Sequence, residues 1–241
     1  MVPIVTVPLK SIVAATPRSR LVTLDLAGHS FDYRPGQAVM IGLPGIQPRR
    51  PYSIACSPEH AAETGTLELL IALEADGTLG PHMPADAKGM LEVEGPLGTF
   101  FFPVDLPNQR LLFVAGGTGI APLRAMIDHL LRKDPGNGIS LLYSARNPEE
   151  FAFNEELRGY EERGRLELHC TVTRDDSTSW AGFRGRIGRS HFERVVHDPT
   201  NTMCFVCGPR AMVTESVSTL AAFGVPIDAI RTEAWVDPKA Y

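Results

Sequence analysis

Between Leu111 and Leu123 the chain reads Leu-Leu-Phe-Val-Ala-Gly-Gly-Thr-Gly-Ile-Ala-Pro-Leu. Five apolar residues with the character of a buried parallel strand run into Gly116, Gly117 and Gly119, and apolar positions at 123, 126, 127, 130 and 131 then follow the period of a one-faced helix. The stretch therefore predicts strand, glycine turn and helix. Glycines serve where a backbone turns tightly and lies against a phosphate, and the free N–H groups of the following helix favour negative charge there. Pro122 suits the first helical turn, where its missing N–H costs nothing. The spacing Gly117-x-Gly119-x-x-Pro122 departs from the dinucleotide fingerprint at its third glycine, and the same residues also suit a turn that only joins two elements. The rest of the chain has to decide between the two.

With 241 residues, 44% of them apolar and 21% charged, the chain has the length and make-up of one large or two ordinary globular domains. A formal charge of −5 argues against nucleic acid or an anionic membrane as partner. No apolar run reaches the roughly 18 residues of a membrane span, and the start lacks the basic-then-apolar pattern of a signal peptide, so a cytoplasmic location is expected. The four cysteines do not form a disulfide framework. Cys204-Phe205-Val206-Cys207 has the spacing of a redox or zinc site, but its apolar setting reads as a buried strand and no second pair completes a metal site, so no metal is expected.

Up to about residue 102 short strands recur, at 4–13, 20–26, 38–43, 51–56, 66–74 and 90–94, separated by Gly and Pro clusters. Six short strands without long helices predict a small antiparallel β-barrel. Pro103 and Pro107 mark a linker. From Arg110 strands at 111–115, 139–144, 166–172, 203–207 and 229–235 alternate with helices at 122–132, 148–163, 190–196 and 209–222, which predicts a doubly wound α/β domain. The start signals are Asn147-x-x-Glu150 and Ser190-x-x-Glu193 as capping boxes and Pro209 in a first turn. The expected division is 1–104 and 105–241. In the first part, Arg50-Pro51-Tyr52-Ser53 sets a guanidinium and a ring on one face of a strand, an arrangement that suits a ligand with a phosphate and a flat ring and equally a surface Arg and half-buried Tyr of an edge strand.

Taken together, the chain resembles the ferredoxin–NADP⁺ reductase family over nearly its full length. Arg50-Pro51-Tyr52-Ser53 is similar to that family's flavin motif, and Gly77-Thr78-Leu79-Gly80-Pro81 to its pyrophosphate turn. Gly95-Pro96-Leu97-Gly98-Thr99-Phe100 resembles the segment closing its flavin domain. The turn Gly116–Pro122 resembles its nicotinamide-nucleotide turn, and Cys207-Gly208-Pro209-Arg210-Ala211-Met212 its late C-G-P-x-x-M motif.

The resemblance implies an FAD-dependent oxidoreductase with two domains, a flavin-binding barrel and an NAD(P)-binding α/β domain. Tyr52 is expected against the isoalloxazine, Ser53 near its N5 edge and Cys207 beside the nicotinamide, these three being the residues at the reacting rings, with Arg50 on the FAD pyrophosphate. Thr78, Leu79 and Gly80 are expected along the FAD phosphates. Gly117, Thr118, Gly119, Pro122, Gly208 and Met212 are expected around the nicotinamide nucleotide. The family usually has Ser or Thr where this chain has Gly80, so backbone N–H groups or Thr78 are expected to hold phosphate there. Trp235 or Tyr241 is expected to cover the flavin, with Glu233 nearby.

Arg146, Arg174 and Arg186 resemble arginines that hold a 2′-phosphate, which favours NADPH over NADH, while Asp175 and Asp176 oppose that preference. Electrons are expected to pass singly to a separate, unidentified acceptor protein, a ferredoxin-like carrier or an oxygenase component. Arg18, Arg20, Arg34 and Arg49 are candidates for a basic docking patch on a first half that holds 7 basic and 11 acidic residues. The alternatives are an NAD(P)H:flavin reductase and an electron-transfer subunit of a larger complex.

Overall fold

The computed structural model describes residues 2–84, 89–104, 109–134, 136–175 and 177–235, the last by its backbone. The chain divides into two compact units, Met1–Phe102 with Ala121–Arg132, and Pro103–Ile120 with Lys133–Tyr241.

The first unit contains strands β1 (Ile4–Thr16), β2 (Ser19–Asp25), β3 (Ala38–Gly42), β4 (Arg50–Ser53), β5 (Thr66–Ala72) and β6 (Met90–Leu97), and a short helix, α1 (Pro58–Thr64). The strands form one antiparallel sheet in the order β4-β3-β6-β1-β2-β5. An antiparallel bridge between Ile54 and Leu69 joins its two edges, which is the closure a barrel needs to hide its edge strands. Val22, Leu24, Val39, Ile41, Leu67, Leu69, Leu91 and Val93 are fully buried within it, so alternate side chains of four strands meet in one core. Helix α1, at seven residues, is too short to show a helical period. Its start is nonetheless written in Ser57, whose hydroxyl accepts from the His60 N–H, with Pro58 at the first position and Gly65 in the left-handed conformation at the end.

The second unit contains β7 (Arg110–Gly116), β8 (Ile139–Ala145), β9 (Glu167–Val172), β10 (Phe183–Arg184), β11 (Thr202–Pro209) and β12 (Ile230–Trp235) in one parallel sheet of order β10-β9-β8-β7-β11-β12. Helices α3 (Asn154–Glu162), α4 (Arg189–Val195) and α5 (Arg210–Ala222) alternate with its strands. The strand order reverses at β7, with β8 on one side and β11 on the other, so the carboxyl ends of β7 and β11 mark the switch point of the sheet. Leu112, Val114, Cys204 and Val206 are buried on one side of this sheet with Phe192, Val213 and Leu220.

Three local expectations are corrected. Helix α3 begins at Asn154 behind Phe153, which takes a left-handed φ of 60°, and Asn147 precedes only a short turn of 3₁₀ helix. Ser190 lies inside α4, whose first turn is closed by the Gly188 N–H donating to His191 Nδ1 at 3.3 Å. Pro209 is the residue before α5 and not within its first turn. In addition, β10 is a two-residue strand that periodicity cannot register; it exists because Phe183 and Arg184 pair with Thr171 and Val172.

The helix after the glycine turn, α2 (Ile120–Lys133), lies largely in the first unit. Arg124 Nη1 donates to the Ala55 carbonyl at 2.9 Å and to Glu68 at 2.6 Å, Asp128 accepts from Ser57 at 2.5 Å, and Arg132 pairs with Glu63 at 2.8 Å. Pro122 is buried in its first turn.

Candidate functional sites

On the barrel, β4 presents Arg50 and Tyr52 from one strand face, opposite Ile41 and Val39 of β3. Arg50 pairs with Glu74 at 2.5 Å while its side chain stays 44% exposed. Tyr52 and Ser53 are half-buried, and Tyr52 packs against the barrel core. Arg50 lines an open groove of about 390 Å³ with Glu74, Ala75, Asp76, Thr78, Gly80 and Pro81. The loop holds itself in shape. Thr78 donates its N–H at 3.0 Å and its hydroxyl at 2.8 Å to Asp76 Oδ1, and its Oγ1 accepts from the Gly80 N–H at 3.2 Å. These bonds hold the Asp76 carboxyl below its usual range. Leu79 turns its side chain toward the barrel core. Gly77 and Gly80 take φ of 83° and 85°, a region that glycine alone enters freely.

A residue that no sequence motif marks stands behind this groove. His82 is only 5% exposed, stacks on Tyr52 with ring centroids 5.6 Å apart, and its Nε2 hydrogen-bonds the Tyr52 hydroxyl. Burial raises the Tyr52 hydroxyl to about 12 and lowers the His82 imidazole. His82 Nδ1 is buried without a hydrogen-bond partner. The exposed guanidinium, the bare φ-positive glycines and this unsatisfied ring nitrogen fit a phosphate-bearing flavin nucleotide. The carboxylates nearest them are already engaged, Glu74 with Arg50 and Asp76 with Thr78.

In the second unit the ends of β7 and β11 close on each other. A Cβ on Gly119 would stand 2.3 Å from the Cys207 carbonyl oxygen, and one on Gly116 would stand 2.6 Å from Met212 Sδ. Gly208, at φ 159°, would drive a Cβ to 2.6 Å from Met212 Cε. These three positions are glycine because neighbouring backbone or Met212 fills the space a side chain needs. Gly117 differs. It is exposed, has φ 55°, and nothing lies within 4 Å of the place its Cβ would occupy. Thr118 beside it is half-buried. The turn is pinned from below by Tyr143, fully buried in β8, which donates to the Gly117 carbonyl at 3.1 Å and accepts from the Ala152 N–H at 3.2 Å. Within its apolar strand Tyr143 has the pattern of a core residue, and nothing local in the sequence marks it as the support of the turn.

Cys207 and Cys204 are both reduced and buried. Three residues apart on one strand, they face opposite sides of the sheet, and Cys204 belongs to the core with Phe192 and Val213. Cys207 lies opposite Glu233 of β12, its sulfur 3.8 Å from Glu233 Oε2. Burial first, and the Glu233 carboxylate second, push the Cys207 thiol well above its ordinary range, so it stays a neutral thiol. Among the described residues no group of three or more His, Cys, Asp and Glu is arranged to hold a metal ion. No described helix is long and apolar enough to cross a membrane.

Arg146, Arg174 and Arg186 follow the carboxyl ends of β8, β9 and β10. The Arg174 N–H donates to the Arg146 carbonyl at 2.8 Å, and Gly185 N–H to the Val172 carbonyl at 2.8 Å, so the three loops start side by side. Arg174 and Arg186 are exposed. Asp175 is turned into its own loop, accepting from the Ser177 N–H at 3.2 Å and hydroxyl at 2.8 Å, with Arg184 at 3.8 Å. Asp176, Tyr241 and the side chain of Trp235 lie outside the described residues. Of the cations considered for a docking patch, Arg49 is consumed by Glu92 at 2.5 Å and Glu94 at 2.8 Å, and Arg34 lies 3.7 Å over the Phe101 ring and donates to the Phe102 carbonyl. Arg20 donates to the carbonyls of Thr16 and Ser19.

Residues 6–102 match the family of oxidoreductase FAD-binding domains, and residues 113–218 that of oxidoreductase NAD-binding domains. The chain is 30% identical to the oxidoreductase NAD-binding domain-containing protein 1 of Danio rerio, over 93% of this chain and 89% of that protein. It is 36% identical to methane monooxygenase component C of Methylosinus trichosporium, over 61% of this chain and 43% of that protein, so it spans less than half of that relative. A ferredoxin NADP⁺ reductase from Neisseria gonorrhoeae with bound FAD and NADP shares the fold, with a TM-score of 0.79 at 20% identity over 96% of this chain and 98% of that one.

Proposed function

The chain belongs to the ferredoxin–NADP⁺ reductase-like family of FAD-dependent oxidoreductases, and from that premise we propose that it draws electrons from NADPH, in preference to NADH, and delivers them to a separate one-electron acceptor protein. The observation that carries the reading is the closure of Gly119 on the Cys207 carbonyl with Gly117 left open beside it. A nucleotide pyrophosphate laid on such a turn meets backbone N–H groups that are already fixed. FAD, when bound, supplies the conversion between hydride and single-electron chemistry.

The residues supply position and charge. Arg50 binds the flavin nucleotide's pyrophosphate in exchange for part of its pairing with Glu74, with Thr78, Leu79 and Gly80 shaping the loop beside it. Tyr52 offers a ring face for the isoalloxazine and Ser53 a hydroxyl at its edge. Gly117, Thr118 and Gly119 seat the nicotinamide nucleotide, and Gly208 and Met212 keep that turn closed. Cys207 offers the nicotinamide a neutral, uncharged neighbour and neither attacks nor titrates. Pro122 holds the start of α2, and on the family resemblance we assign Trp235 to cover the flavin.

Arg146, Arg174 and Arg186 converge from three adjacent strand ends, and the carboxylate of Asp175 is occupied by Ser177, which supports a 2′-phosphate there. The likeness to a protein named as a component of methane monooxygenase favours an oxygenase component or ferredoxin-like carrier as acceptor. A cytoplasmic setting agrees with this reading. Replacing Arg174 with Ala should lower kcat/KM for NADPH about tenfold, the loss of one charged hydrogen bond, and leave NADH unchanged. Equal losses with both nucleotides, or a wild type that prefers NADH, would overturn the NADPH assignment.

A further inference from the structure

We infer that His82 is a second anchor for the phosphates of the flavin nucleotide, its Nδ1–H directed toward the groove on the side where Gly80 carries no side chain. The inference rests on the reading of the Arg50 groove as the FAD phosphate site.

Three observations lead to it. The imidazole is 5% exposed, yet its Nδ1 has no hydrogen-bond partner, and a buried polar atom left unsatisfied is unfavourable unless a ligand completes it. The point where a Cβ on Gly80 would stand is 3.0 Å from His82 Cε1, 3.1 Å from Nδ1 and 3.3 Å from Glu74 Oε1, so this edge of the ring faces Gly80, which lines the groove with Arg50, and the Glu74 carboxylate that pairs with Arg50 borders the same point. Any larger residue at position 80 would press on the ring or force it aside, quite apart from its φ of 85°. The other ring nitrogen, Nε2, is taken by the Tyr52 hydroxyl.

The role requires the ring proton on Nδ1. Tyr52 keeps its own proton, since burial raises its hydroxyl to about 12, and when that hydroxyl donates to Nε2 the ring proton sits on Nδ1. Burial and the nearby Arg50 guanidinium lower the His82 pKa, against a smaller opposing effect of Glu74, which keeps the ring neutral. The chain Tyr52 hydroxyl, Nε2, Nδ1–H thus presents one oriented donor, without a second full charge, to an anion already drawn by Arg50. Stacking on Tyr52 holds the ring in that orientation.

FAD titrated into the apoprotein, followed by flavin fluorescence, tests this together with ¹⁵N spectra of the imidazole. His82→Ala should weaken FAD about tenfold, and His82→Asn, whose amide N–H can stand close to the Nδ1 position, should restore most of that loss while His82→Leu should not. The ³¹P resonances of bound FAD should shift in His82→Leu relative to wild type. Unchanged FAD affinity in all three variants while Arg50→Ala weakens binding would overturn the role of His82 and leave the groove assignment standing. FAD binding insensitive to Arg50→Ala as well would overturn the groove itself. A wild-type ring protonated on Nε2 would also overturn the inference, because Nδ1 would then be an acceptor facing phosphate.

Discussion

In the barrel unit the groups we propose to meet a phosphate are side chains at an open groove, Arg50 of β4 above all, held in place by an ion pair with Glu74 that a ligand would partly displace. In the sheet unit they are backbone N–H groups of Gly117–Gly119, and what surrounds them is packing: the Cys207 carbonyl, Met212 and the buried Tyr143. The first arrangement tolerates changes of geometry and depends on charge. The second has almost no charge of its own and depends on the absence of three Cβ atoms. A site made of charge weakens by degrees when one member is removed, whereas a site made of close approach fails when one atom is added.

The sharpest way to break the comparison is to add that atom. Gly119→Ala places a Cβ 2.3 Å from a carbonyl oxygen, so β7 and β11 must part, at a cost of about 3 kcal/mol, and nicotinamide-nucleotide binding should be lost with it. Gly117→Ala meets open space and bears only the strain of its φ of 55°, about 1–2 kcal/mol. Thermal unfolding should rank the two in that order. Equal destabilisation would mean that φ and not packing shapes the turn.

Next in size is the charge side. Arg50→Ala should weaken FAD about ten- to a hundredfold, as expected for one charge-assisted anchor, while the fold is kept because the ion pair with Glu74 is largely exposed. FAD retention through gel filtration that matches wild type would show that the groove does not bind phosphate by charge.

A smaller effect separates burial from charge through pH. His82 and His191 are buried and have pKa values lowered below the ordinary 6.5, chiefly by burial. The unfolded chain therefore takes up protons near pH 6.5 that the folded chain refuses, so their contribution to stability is complete above that pH and declines as pH falls below it. Tm of the apoprotein should drop between pH 7 and 5.5, less steeply in His191→Gln. A slope indifferent to that substitution would assign the acid sensitivity to other groups.

Much of this was legible in the chain because the signals are local. The glycine turn, the alternation of short strands up to residue 102 and the strand–helix rhythm after 110 each fall within a single window of sequence. Helix α1 was legible too, in Ser57, Pro58 and Gly65, but at seven residues it offers no periodicity. What escaped is nonlocal. Arg49 looks like a surface cation until β6 brings Glu92 and Glu94 beside it, and Arg34 until Phe101 and Phe102 arrive from 67 and 68 positions away. His82 follows a proline in a loop and gains meaning only from Tyr52, 30 residues earlier. Cys204 and Cys207 share a spacing that suggests a pair, and only the pleat of β11 sends them to opposite faces.

The most direct test of the central claim is anaerobic mixing of the FAD-loaded protein with NADPH or with NADH, following the flavin absorbance in stopped flow. The account predicts bleaching by both, faster with NADPH at equal low concentration, with the NADPH advantage removed in Arg174→Ala and the rate reduced in Cys207→Ala but not in Cys204→Ala. Flavin that stays oxidised with either nucleotide would contradict it.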